Sequence, residues 1–239
     1  MKYLSLLLLS LCIISCGSND DTATTINFKL KYGADDLVMF SNFDNDQGMM
    51  IRITDVKGFT SDFTLISGDA SEVISEVKFL ELGDAHSDVD EAAEGYNWTV
   101  DTELQEIDQV NFNIGIPNAL NETVPADYNS SSDLSRASEY WTNWESYIYF
   151  KIEGNADFDG NGLFESGENI VLHLGTERAY RNVSLNKSND DNVIALELDI
   201  EKVLSNYDLE GMPTIHTSLS DAVRSNIDVL AENISQAFQ

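Results

Sequence analysis

The stretch "DFDGNGLFESGE" at residues 157–168 decides the fold, together with its flanks "YIYFKIEGNA" (147–156) and "NIVLHLG" (169–175). The loop alone fits the calcium pattern D-x-[DN]-x-[DN]-G-x5-E at every position. Asp157, Asp159 and Asn161 take the first three ligand positions. Gly162 takes the sharp turn. Leu163 is expected to offer its carbonyl, Glu165 to act through water, and Glu168 to close the shell with both oxygens. Three neighbouring carboxylates repel one another unless a cation offsets their charge. The familiar frame for such a loop is a pair of helices, yet both flanks alternate apolar and polar residues as half-buried strands do. A loop between two hydrogen-bonded strands cannot swing helices apart as a sensor does. The expectation is therefore a β-hairpin stapled by calcium.

Working outward, similar alternating runs occur at 26–32, 50–56, 59–66, 74–80, 96–100, 109–116 and 193–199, with polar turns between them. Many short strands separated in this way predict a mainly β protein, an antiparallel β-sandwich. The period changes near the end. "IEKVLSN" after Asp199 reads as a short helix with an acidic cap. At 218–238, Leu219, Val223, Ile227, Leu230, Ile234 and Phe238 recur every three or four residues, and Ser218 with Asp221 reads as a capping box. The sandwich thus acquires a C-terminal amphipathic helix. No internal boundary is visible, so a single domain is expected over 26–239.

The N-terminus reads as an address. Met1-Lys2 precedes an apolar run too short to span a bilayer, ending at Ile13-Ile14-Ser15-Cys16-Gly17. That pattern resembles a bacterial lipobox, with residues 1–15 as a lipoprotein signal peptide, Cys16 as the lipidated residue and 16–25 as a flexible acidic tether. A lipid-anchored protein of the bacterial cell envelope is expected, on the outer membrane and facing the periplasm or the exterior. Cys12 lies within the signal, so the mature chain would keep one cysteine and form no internal disulfide. The formal net charge of −29 disfavours nucleic acid as a partner. The 42% of apolar residues still permits a sizeable core.

The three histidines are His86, His173 and His216. None has the spacing of a zinc motif. On residue chemistry, His86 reads as solvated in an acidic loop, His173 as a surface or edge histidine, and His216 as a neighbour of the last helix's cap. Trp141 and Trp144 read as core or strand-entry aromatics. No catalytic triad, Cys–His pair, P-loop or dinucleotide fingerprint is present, so no enzyme is expected.

Several segments together resemble the MbnP-like family. They are "ITDVKGFTSDFTLI" (53–66), "VNFNIGIPNALN" (110–121), "YWTNWESYIYFKIEG" (140–154), "NIVLHLG" (169–175) and "LAENISQAF" (230–238). The resemblance implies a periplasmic or surface β-sandwich associated with copper. It further implies a dihaem peroxidase-like partner that oxidises a tryptophan to kynurenine, which joins histidine in a copper site. Residue by residue, Trp141 matches the first tryptophan of the family motif. Trp144 is shifted by one from the second, Ser146 stands at the glycine, and Tyr140 or Glu139 stands at the methionine. The histidine before Leu-Gly matches His173. The copper residues implied are thus His173 with Trp141 or Trp144, with no second histidine near them in the chain. Beside this stands another reading, a calcium-stabilised cell-surface module that binds glycan or protein through exposed tryptophans.

Overall fold

The computed structural model describes residues 22–45, 48–216 and 220–239. The signal peptide, Cys16, Ser218 and Leu219 lie outside them. In order the chain forms β1 (Thr22–Tyr32), β2 (Asp35–Asp36), β3 (Asn42–Asp44), β4 (Met50–Ser67), β5 (Ala70–Leu80), α1 (Val89–Glu94), β6 (Tyr96–Thr102), β7 (Gln109–Ile114) and α2 (Asn118–Asn121). It continues with β8 (Tyr140–Trp141), β9 (Ser146–Ala156), β10 (Asn169–Gly175), β11 (Arg181–Asn186), β12 (Val193–Asp199), α3 (Ile200–Leu204), β13 (Thr214–Ile215) and α4 (Asp221–Ala237).

Two sheets face each other, as expected of a sandwich. In the smaller sheet, β1 pairs with β12 along one edge and with β6 and β2 along the other. The larger sheet has the path β11-β7-β4-β9-β10-β13, with β3 and β5 joined to β4 and β8 joined to β9. Aromatic rings close the space between them: Phe63 of β4 meets Phe28 of β1 at 6.3 Å and Trp98 of β6 at 5.2 Å across the gap, and stacks on Phe112 of β7 in its own sheet at 5.1 Å.

Four details correct the sequence-based expectation. The sheets are mixed, because β1 runs parallel to β12 and β10 parallel to β13. Residues 50–56 and 59–66 are one strand, β4, whose register shifts between Ile53 and Asp55 and again between Ser61 and Thr64. Lys57 and Gly58 separate the two runs in the sequence, yet both pair through, Lys57 with Lys151 and Gly58 with Phe150 and Leu80. β1 begins at Thr22, inside the expected tether, because Thr22–Thr25 pair with β6. His86 is fully buried: Leu30 N–H donates to its Nε2 at 2.9 Å, and its Nδ1 contacts the Leu82 carbonyl at 2.7 Å. Since Nε2 accepts, Nδ1 carries the proton, and both ring nitrogens of a neutral imidazole are satisfied. Burial pushes its pKa below the ordinary histidine value.

Both helices read after Asp199 are present. Asp199 caps α3 by accepting from the Glu201 and Lys202 amides. α4 buries Val223, Ile227, Leu230, Ala231 and Ile234, and Phe238 packs edge-on against Phe112 at 5.2 Å. Its N-cap is Ser220, which accepts from the Val223 amide, rather than the expected Ser218. The chain end then bonds to β12, with Glu197 and Gln239 exchanging both backbone hydrogen bonds at 2.9 Å.

Candidate metal centres

The hairpin of the opening stretch forms as read. β9 and β10 pair antiparallel, Asn155 opposite Asn169, so 157–168 is their connection. Asp157 and Glu168 are buried at its base. Asp157 Oδ1 accepts from the Asn161 amide at 3.0 Å and Oδ2 from the Gly162 amide at 2.7 Å. Glu168 Oε1 accepts from the Phe158 amide at 3.0 Å and Oε2 from the Glu165 amide at 2.6 Å. Gly162 has φ 80°, a conformation that costs glycine little. Burial alone would raise the Asp157 pKa, but the amides of Gly162, Asn161 and Gly160 hold it below the usual carboxylate range.

One oxygen from each of Asp157, Asp159 and Glu168 lies within 4.8 Å of the others. The loop therefore folds three carboxylates around one point, a donor set of the hard-oxygen kind that calcium takes. Asn161 sits against Asp159, its Nδ2 donating to Asp159 Oδ2 at 3.0 Å. Glu165 enters through its amide. The Leu163 side chain is 61% exposed.

A second cluster lies on the odd-numbered face of β9, beneath the excursion between β7 and β9. Tyr147 of β9 donates its hydroxyl proton to the Leu134 carbonyl at 2.7 Å. Glu139 is buried and salt-bridged to Lys151 of β9 at 3.0 Å and Lys57 of β4 at 3.7 Å. These contacts press the β8 turn onto the sheet. The turn is tight: β8 pairs with the start of β9, Glu145 has φ 50°, and Trp144 N–H donates to the Trp141 carbonyl at 3.0 Å. Asn121 pins the far side, its Oδ1 accepting from the Tyr147 amide at 2.9 Å and the Ser146 hydroxyl at 3.1 Å. Trp144 packs onto Gly175, where a Cβ would come within 3.1 Å of its ring and 2.7 Å of the Tyr147 carbonyl. Only glycine permits that approach without displacing backbone.

The turn delivers its tryptophans to two histidines. The rings of His173 and His216 are 5.3 Å apart, Trp141 is 4.8 Å from His216, and Trp144 is 6.4 Å from Trp141. His173 is 8% exposed, which corrects its reading as a surface or edge residue. β13 pairs with β10 at Val171 and Leu172 and covers that side. His216 follows β13 directly, so the strand that shields His173 also carries the second imidazole to it. His173 Nε2 contacts Glu153 Oε1 at 2.7 Å. Burial lowers the His173 pKa, aided by the Lys151 charge, against the Glu153 hydrogen bond that raises it. The ring is therefore held neutral, the form in which it can bind a metal.

Four nitrogens of this cluster are buried with no hydrogen-bond partner among the described residues: Nδ1 of His173, Nδ1 of His216, and Nε1 of Trp141 and Trp144. Buried polar atoms are normally satisfied, and each orphan costs on the order of 1–3 kcal/mol. Two unpartnered imidazole nitrogens in one cluster fit a metal that favours nitrogen donors, copper among them. The indole N–H groups are donors only and supply no lone pair as they stand.

Sequence reading singled out His173, Trp141 and Trp144, and the structure brings them together. It missed His216, Glu153 and Glu139. His216 was hidden because its proximity comes from a parallel strand pairing distant in the chain. The acidic pair was hidden among 42 acidic residues.

The family model described as MbnP matches residues 21–218. Among solved structures, one similar in fold is MbnP from Methylosinus trichosporium, with TM-score 0.57 and 11% identity, covering 82% of this chain and 81% of that one. No curated protein matches.

Proposed function

This chain belongs to the MbnP family, and on that premise we propose that it is a lipid-anchored, extracytoplasmic copper-binding protein with a calcium staple, a carrier of metal rather than a catalyst. The observation that carries the reading is the pair of orphaned imidazole nitrogens, Nδ1 of His173 and of His216, beneath the tryptophan turn. Both would hold the copper. A copper ion there would supply electron-accepting and ligand-exchange chemistry, while this chain's residues hold the donors apart from solvent.

Trp141, in ring contact with His216, is the tryptophan we assign to the site. Its oxidation to kynurenine, with peroxide as oxidant and a dihaem peroxidase-like partner of the kind the family resemblance implies, would cleave the indole C2–C3 bond and release C2 as formate after hydrolysis, which leaves an amine nitrogen and a ketone oxygen in place of a donor-only indole. Both carry lone pairs. Trp144 supports Trp141 from behind and is itself packed on Gly175. The reading as a glycan-binding module draws no support from these residues, since Trp144 is buried and Trp141 is half-covered.

In the hairpin, Asp157, Asp159 and Glu168 would hold calcium, with Asn161, Leu163 and Glu165 completing the shell. Its role would be to fix the β9–β10 connection, and through it the strand pair that carries Glu153 and His173. Cys16 would tether the domain to the outer membrane.

The test is a copper competition titration against a chelator on purified protein. One equivalent should bind in the wild type and in Asp157→Ala, and binding should be lost in His173→Ala and in His216→Ala. Binding retained in both histidine variants would overturn the assignment.

A further inference from the structure

The two nitrogens of His173 have different surroundings. Antiparallel register sets His173 opposite Lys151 and Val171 opposite Glu153, so Glu153 lies diagonally across from the imidazole. Its Oε1 is 2.7 Å from Nε2, while Nδ1 is buried with no partner among the described residues. A carboxylate offers lone pairs only, so the shared proton sits on Nε2. A neutral imidazole has one N–H, which leaves Nδ1 with a bare lone pair. Lys151 could not replace Glu153 in this, because an ammonium only donates and Lys151 is engaged by Glu139 at 3.0 Å.

We propose that Glu153 is a positioning residue: it fixes His173 as the Nε2–H tautomer and thereby directs the Nδ1 lone pair into the cluster shared with His216. The proposal rests on the copper reading for its purpose but not for its geometry. Nδ1 of His173 is defined as the coordinating atom before any metal arrives. The carboxylate itself is not a ligand, since it is spent on the other ring nitrogen, Nε2. Carboxylate partners of this kind orient metal-binding histidines, and their loss lowers metal affinity by about 10–100-fold.

Long-range proton–nitrogen NMR on the copper-free protein reads the tautomer directly, with copper competition run alongside on the wild type, Glu153→Leu and Glu153→Asp. In the wild type His173 should carry its proton on Nε2. Glu153→Leu should lose that preference and bind copper about 10–100-fold more weakly, at a melting temperature close to the wild type's, because Glu153 is partly exposed. Glu153→Asp should restore part of both. A proton on Nδ1 in the wild type, or an unchanged tautomer in Glu153→Leu, would overturn the proposal. If the wild type takes up no copper, the copper reading fails, yet the tautomer still decides this one: preference lost in Glu153→Leu upholds it, preference kept overturns it.

Discussion

The ring of His216 stands 4.8 Å from that of Trp141, although one follows the edge strand β13 and the other ends β8. Neither residue has a neighbour in sequence that hints at the other. Their meeting depends on two separate devices, the parallel docking of β13 on β10 and the Glu139 bridge that holds the β8 turn down.

The bridge can be tested by stability. Glu139→Ala would leave Lys151 buried and uncompensated, and breaking such a pair by removing one partner costs on the order of 3–5 kcal/mol. Burial alone would raise the Glu139 pKa, but the Lys151 hydrogen bond and the Lys151 and Lys57 charges hold it below the ordinary value. A depressed carboxyl pKa stabilises the fold above the unfolded value, near 4.5, and that stabilisation is lost as pH falls through the folded value. Urea unfolding should therefore show a large loss in Glu139→Ala at neutral pH that shrinks in strong acid.

The pH dependence should begin earlier, at His86. This ring is buried neutral with both nitrogens engaged, and its pKa lies below the ordinary 6.5. The unfolded chain takes up the proton first, so stability should fall as pH drops below about 6.5. His173 acts in the same direction. Melting curves between neutral pH and pH 5 should show this loss, and His86→Gln should have a shallower dependence over that range.

The hairpin and the histidine–tryptophan cluster were legible to different degrees. The 157–168 loop was readable because all its donors are local and its spacing is set by one turn. The strands were readable where one face is buried, as in β1 and β12. β4 was split at Lys57-Gly58, because a glycine within an alternating run reads as a break, although the ladder continues through it. β11 was missed because "RNVSLN" buries only Val183. The site was half readable: His173 and the tryptophans stood out through family resemblance. His216 did not, since only tertiary pairing gives it a role.

Calcium should act as a staple. Bound calcium adds RT ln(1 + [Ca²⁺]/Kd), about 2.7 kcal/mol at a hundredfold excess over Kd. For a domain of this size that is a drop of about 5–10 °C in melting temperature on chelation. Glu168→Ala should melt low with or without chelator. The β signature in the far ultraviolet should persist, and calcium should not raise the binding of a hydrophobic dye.

The proposed anchoring would rest on Cys16, outside the described residues. Cys16→Ser should leave the precursor uncut and without lipid, and the processed protein should disappear from the outer-membrane fraction. Fractionation with mass spectrometry of the mature N-terminus checks this.

The central claim is that His173 and His216 form one copper site. The most direct measurement is an anomalous difference map at the copper edge from crystals of the copper-loaded protein. The account predicts a single strong peak within bonding distance of Nδ1 of both His173 and His216, with Trp141 beside it. A peak that contacts neither imidazole, or copper found only among Asp157, Asp159 and Glu168, would contradict it.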